Sequence, residues 1–221
     1  MSFALIKLSY NQIGENDVEG GICGTGFFIS NNRFITANHI FSSLNNRPNI
    51  GYTNCQYWLA SRTGQIIPVE NMEIIDHPEI DTTEIIFNNN VTDTVFELNR
   101  ERPNIGDEIS NLGYIPNMPQ IDAIWGQNGL IIKSVNLNEV QSDANGFIRE
   151  IENITIQKND VNITNRTLIT TSYPGRVGMS GGPMLNDRNQ IIGLMSIGLP
   201  ADVTQKDFLG AIWIDEIMNT I

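Results

Sequence analysis

The stretch VGMSGGPM, residues 177–184, sets one serine among three glycines and closes on a proline and a methionine. A serine hydroxyl is a poor nucleophile at its own pKa. It needs a base within hydrogen-bond reach, usually a histidine whose tautomer a carboxylate holds. It also needs backbone N–H groups aimed at the oxyanion that forms in acyl transfer. Glycines beside the serine serve that second need, because they adopt backbone angles other residues avoid and let a carbonyl come close. Gly178, Gly181 and Gly182 thus surround Ser180 with what such chemistry requires. The bland alternative is a glycine-rich turn with an incidental serine. Only partners elsewhere in the chain separate the two.

The same run satisfies G-x-S-x-G, the nucleophile elbow of α/β-hydrolases, in which the histidine follows the serine. The two histidines here, His39 and His77, both precede Ser180, so that reading fails. The order histidine, aspartate, serine is the one used by chymotrypsin-type barrels. His39 sits in FITANHIF, where a β run ends in small residues. His77 sits in IIDHPEID beside a proline and reads as a turn residue.

The strand signals fit that order. ALIKLSY, GTGFFIS, RFITANHI, CQYWLAS, QIIPVENMEII and TEIIF are short runs with β-branched or aromatic residues, bounded by Asn, Gly, Pro and Asp. NNRF, SRTG and NDRNQ read as hairpin turns. Residues 99–106 are polar, with a proline and a glycine, and read as a linker. A second series follows through GDEIS, QNGLIIKSV, GFIREIENITI, TLITTSY, QIIGLMSIG and DFLGAIWI. Between Val135 and Thr167 the pattern is irregular and strand edges are poorly defined. Many short strands with few helices mean a sandwich or barrels, and two six-stranded barrels would use up the chain. The likeness in chain order to chymotrypsin-type barrels implies the second: an all-β fold of two antiparallel six-stranded Greek-key barrels over 1–98 and 107–213, with a short C-terminal helix over 214–221.

Two segments carry a specific resemblance. GTGFFISNNRFITANHIF, residues 24–41, resembles the first-barrel segment of chymotrypsin-like (trypsin-like) serine peptidases, in which a Gly-x-Gly-Phe strand, a hairpin and a Thr-Ala-x-His corner present the base. GMSGGPMLNDRNQIIGLMSIG, residues 178–198, resembles that family's nucleophile loop and its next hairpin. The resemblance implies peptide-bond hydrolysis through an acyl-enzyme. It makes His39 the base, Ser180 the nucleophile, and the N–H groups of Gly178 and Ser180 the oxyanion hole. The orienting acid it implies is Asp81 in IDTTEIIF, with Asp76 as competitor.

Departures from the family's pattern are informative. Met179 stands where pancreatic-type members have the aspartate that pairs with a new N-terminal amine, and no Ile-Val-Gly-Gly-like start is present. The sequence is thus more similar to the HtrA-like, intracellular or viral branches, with an oxyanion hole either preformed or switched by a partner. Cys23 lies where extracellular members hold half of a disulfide, but the position of its partner is Ile40; a Cys23–Cys55 bond stays open. The trypsin-like pocket floor corresponds to Pro174, and Arg176 adds positive charge. A basic side chain before the cut would find no acid there and would lose its hydration, so apolar or small residues are expected, or acidic ones if Arg176 points inward. Pro174, Arg176 and Met179, with Ser196, Ile197 and Gly198 on a strand that pairs with the substrate backbone, are the expected substrate contacts.

Composition sets the remaining bounds. A net charge of −12 argues against nucleic acid or an anionic membrane as partner, because both need a basic footprint. Two cysteines and two histidines give neither a disulfide scaffold nor metal-ligand spacing, so no metal or cofactor is expected. No signal peptide or membrane span is read, and a cytoplasmic location is expected. The partner is a protein or peptide substrate, with an activating partner or a longer parent protein left open. The competing function is a catalytically weak or inactive peptide-binding module on the same fold. An esterase is a third reading.

Overall fold

The structure, a computed structural model, describes residues 1–44, 48–158, 161–199 and 208–221. The first half contributes β1 (Ser2–Tyr10), β2 (Val18–Ser30), β3 (Arg33–Ala37), the short helix α1 (Asn38–Leu44), β4 (Asn54–Ser61), β5 (Ile66–Pro68), β6 (Met72–His77) and β7 (Thr82–Phe87). They form one antiparallel sheet in the order β5-β4-β1-β2-β3-β7-β6. It therefore holds seven strands where six are expected, and β5 and β6 are its unpaired ends among the described residues. Its interior is aromatic. Phe28 stands edge-on to Phe3 and to Phe34, each with ring centres 5.1 Å apart, and such pairs add about 0.5–1.5 kcal/mol beyond their buried area.

The second half contributes β8 (Glu108–Asn111), β9 (Gln120–Gly126), β10 (Gly129–Asn136), β11 (Ala144–Lys158), β12 (Val161–Thr171), β13 (Pro183–Leu185), β14 (Ile191–Leu199), β15 (Phe208–Trp213) and the terminal helix α2 (Ile214–Met218). Six of these strands close a barrel in the order β11-β12-β15-β14-β13-β8. The long β11–β12 ribbon occupies the stretch where sequence patterning is irregular. Its register slips at Ile148/Glu150 and again at Ile154/Ile156. Each bulge shifts inward and outward positions by one residue, which breaks the period-two signal. Before β8 the chain is pinned to the barrel, as Asn99 N–H donates to Ile191 O at 2.8 Å.

The hairpin β9–β10 lies outside the closed barrel. Alternate residues of a strand face opposite ways, yet β1 is buried along its whole length. Phe3 and Leu5 face the aromatic interior, whereas Ala4, Ile6 and Leu8 pack with Trp58, Leu130 and Ile132. The hairpin thus supplies the outer cover that makes SFALIKLSY apolar on both faces. β9 is absent from the strands read in the sequence. Its apolar residues alternate with solvent-facing ones (Asp122 and Ile124 exposed, Ile121 and Ala123 half-buried) and it is held by docking more than by its own pattern.

The two cysteines lie on β2 and β4, which pair with opposite edges of β1. Two strand spacings, roughly 10 Å, separate them, beyond the reach of a disulfide, and both thiols are free. Cys23 donates to Leu5 O at 3.1 Å, and burial pushes its thiol up to about 12. At pH 8 only about one thiol in 10⁴ is then ionised. Iodoacetamide should therefore leave Cys23 unmodified in the native protein and alkylate it after denaturation. Peptide mass spectrometry checks this, and native modification at the rate of a free thiol would contradict the burial.

Candidate active site

β3 and β7 run side by side, with Ala37 opposite Thr82. The residues just after β3 therefore meet those just before β7. Asn38 N–H donates to Asp81 O at 2.9 Å, and His39 is the next residue, in the first turn of α1. Asp81 follows a one-turn 3-10 helix over Pro78–Ile80 and takes a left-handed conformation, φ 46°. Aspartate tolerates that region better than most residues, and the turn swings its side chain inward, where it is 1% exposed.

A buried carboxylate has to be satisfied by donors, and Asp81 meets three. Its Oδ1 accepts the backbone N–H of His39 at 2.8 Å. Its Oδ2 lies 2.8 Å from His39 Nδ1 and accepts the hydroxyl of Ser196. Because an ionised carboxylate only accepts, the facing ring nitrogen carries the proton and leaves the Nε2 lone pair free to accept one. Asp76 does not touch the ring. It accepts from Asn38 Nδ2 at 2.9 Å and from Thr83 Oγ1 at 2.6 Å, which braces the residue preceding His39. His77 ends β6 opposite Thr82.

Ser180 lies in the turn before β13. Its carbonyl accepts from Thr25 N–H on β2 at 3.1 Å, and the next N–H, of Gly181, donates to Met195 O on β14 at 2.6 Å. The turn is clamped between the two halves, and two glycines permit the approach. At Gly181, φ +80°, a Cβ would lie 2.0 Å from Thr25 O and 2.9 Å from Ala37 N. At Gly178, φ +93°, it would lie 1.8 Å from Tyr114 O. Among the described residues the N–H groups of Gly178 and Ser180 donate to no backbone carbonyl. Two vacant donors flanking Met179 are an arrangement suited to an oxyanion.

The other expected contacts divide. Pro174 and Arg176 are exposed on the loop leading to the turn. Met179 is 1% exposed and packs with Ile148, Ile169, Met184 and Met195 inside the second half, facing the core. Ser196 is 3% exposed and turns its hydroxyl onto Asp81. That contact was not legible, since it joins residues 115 positions apart and a serine within an apolar strand advertises no partner. Ile197 and Gly198 belong to β14 and pair with Gly210 and Leu209 of β15; the side chain of Ile197 lies outside the described residues.

A family model for the trypsin-like peptidase domain matches residues 24–194. The chain belongs to the trypsin-like peptidase family. Solved structures resemble this peptidase in fold at low identity. The Rv3671c protease of M. tuberculosis, in its active form, superposes with a TM-score of 0.61 at 16% identity, over 98% of this chain and 78% of that one. The MamO protease domain of Magnetospirillum magneticum gives 0.61 at 13% identity, over 99% and 95%. A serine endoprotease from Yersinia pestis gives 0.56 at 17%, over 98% and 60%. No curated protein matches the sequence. The HtrA-type protease AlgW, solved with a tripeptide, shares the fold with a TM-score of 0.59 at 15% identity, over 98% of this chain and 58% of that one. Among the described residues no cluster of acidic, histidine or cysteine side chains could hold a metal ion, and no helix is long and apolar enough to cross a membrane.

Proposed function

We propose that this peptidase is a serine endopeptidase in which His39 takes the proton of Ser180 as the hydroxyl attacks a peptide carbonyl. The observation that carries the reading is the Asp81 carboxylate 2.8 Å from His39 Nδ1 and shut away from water. Asp81 holds the ring in the accepting tautomer and stabilises the imidazolium that forms. The proton then passes from Nε2 to the leaving amine, and water repeats the cycle on the acyl-enzyme. The N–H groups of Gly178 and Ser180 receive the oxyanion. Their freedom from backbone partners, with Gly178 already in its left-handed conformation, supports a hole that is preformed.

The substrate residue before the cut is apolar or small. No acid occurs from Thr170 to Ser180, and Arg176 is the one charged side chain there. A lysine or arginine would leave water without an ionic partner. Incubation with a fluorophosphonate probe tests the chemistry. The adduct is expected on Ser180 when the labelled protein is digested and sequenced by mass spectrometry. A protein that is neither labelled nor able to cleave peptides would be a binding module. Cleavage mainly after lysine or arginine would overturn the specificity.

A further inference from the structure

One residue of the first half grips both ends of the nucleophile turn. Thr25 N–H donates to Ser180 O at 3.1 Å, and Thr25 Oγ1 donates to Gly178 O at 2.8 Å. The same Oγ1 accepts Tyr114 N–H at 3.1 Å. Since a backbone N–H can only donate, that bond claims a hydroxyl lone pair and leaves the single hydroxyl proton for the Gly178 carbonyl. Thr25 is itself held, as its carbonyl accepts Thr36 Oγ1 at 2.7 Å. Thr25, Gly178 and Tyr114 are all buried.

We propose that Thr25 is a positioning residue for the oxyanion hole, holding the carbonyls of Gly178 and Ser180 so that the N–H groups of the same two residues keep a common aim. The inference rests on the serine-peptidase reading above. Glycine at 178 turns freely about its own bonds, so something outside the turn has to stop it. Met179 N–H donates to Arg176 O at 3.2 Å, which steadies one side of that peptide plane; the Thr25 hydroxyl steadies the other. The Thr25 N–H then anchors Ser180 O, in the peptide plane just beyond the second donor. The two anchors bracket the Ser180 N–H, the first of them adjoins the Gly178 N–H across one Cα, and both come from the half that carries His39. A displacement of the turn relative to the base is therefore opposed by the same side chain that orients the hole.

Thr25→Val keeps the branched shape and removes only the hydroxyl, orphaning a carbonyl and an N–H away from water. An oxyanion donor that has lost its aim costs about 10²-fold in rate. The expected result is that kcat falls by about that factor with KM within about threefold, because the hole acts on the transition state more than on bound substrate. A peptidyl boronate should lose affinity in proportion to kcat. Thr25→Ser, which restores a hydroxyl, should recover most of the rate. Amide hydrogen exchange supplies a readout independent of turnover: residues 176–182 should exchange faster in Thr25→Val than in the wild type, with β1 to β3 still protected. Unchanged exchange in 176–182, or a kcat within about threefold of wild type, overturns the inference. Should the wild type itself neither label nor cleave, the peptidase reading falls alone, and faster exchange in Thr25→Val would still uphold Thr25 as the holder of the turn.

Discussion

Ser180→Ala is expected to lower kcat for peptide hydrolysis by about 10⁶-fold and to abolish fluorophosphonate labelling, with KM little changed. The serine supplies the bond-forming atom, so no neighbour substitutes for it. Residual hydrolysis by water would still draw on the N–H groups of Gly178 and Ser180, which belong to the backbone and survive the substitution. The fold should survive too, because the turn is held through main-chain bonds from Thr25 and Gly181 that the hydroxyl does not enter. Non-additivity sharpens the test. If His39 acts only by taking the serine proton, Ser180→Ala/His39→Ala should be no slower than Ser180→Ala by itself. Steady-state kinetics on one peptide substrate, with thermal melting as the control on folding, checks both statements. Retention of more than about a hundredth of the wild-type rate in a folded Ser180→Ala would remove the serine from the mechanism.

Asp81→Asn should cost about 10⁴-fold in kcat, and the geometry says why. The Oδ1 atom faces the backbone N–H of His39, which can only donate, so the asparagine has to place its remaining oxygen there. Its NH₂ group then replaces Oδ2 and points at His39 Nδ1 and the Ser196 hydroxyl. Two N–H groups cannot share one hydrogen bond, so the neutral ring gives up the Nδ1 proton and carries it on Nε2 instead. Nε2–H has no lone pair for the serine proton. The backbone should not object, because asparagine accepts the left-handed conformation of residue 81 as aspartate does, and Ser196 can rotate to accept. Nitrogen-15 spectra of His39 should report the Nε2–H tautomer in the variant and Nδ1–H in the wild type. A loss of less than about tenfold would mean that the carboxylate holds the loop and not the tautomer. Asp76→Asn, by contrast, should leave that tautomer alone, since Asp76 binds Asn38 and Thr83 and not the ring.

How far these contacts could be read in the linear chain depends on whether their cause is local. Glycine is required at 178 and 181 by positive φ and close approach, and a residue without a side chain is visible as a letter. The aromatic run of β2 and β3 announces a buried sheet in the same way. β9 was missed because its burial comes from β1 and β4, not from its own pattern. The seventh strand of the first half comes from QIIPVENMEII, which reads as one run but is divided into β5 and β6 by residues 69–71, where Asn71 takes φ 52°. The resemblance already favours Asp81 over Asp76; the left-handed residue and the strand pairing that bring Asp81 against the ring are invisible in the letters IIDHPEID.

The order of histidine, aspartate and serine, the glycines of the nucleophile turn and the absence of an acid before it are properties of the chain alone, because each is a matter of residue type and rank. Which oxygen faces which nitrogen is not. The hydrogen bond from Ser196 to Asp81 spans 115 positions and that from Thr25 to Gly178 spans 153. Hydroxyls have no fixed partner until packing shuts them away from water and leaves one acceptor in reach. The closure of the two halves on one another makes that selection, so the tertiary structure decided how the site is held while the sequence decided what it is made of.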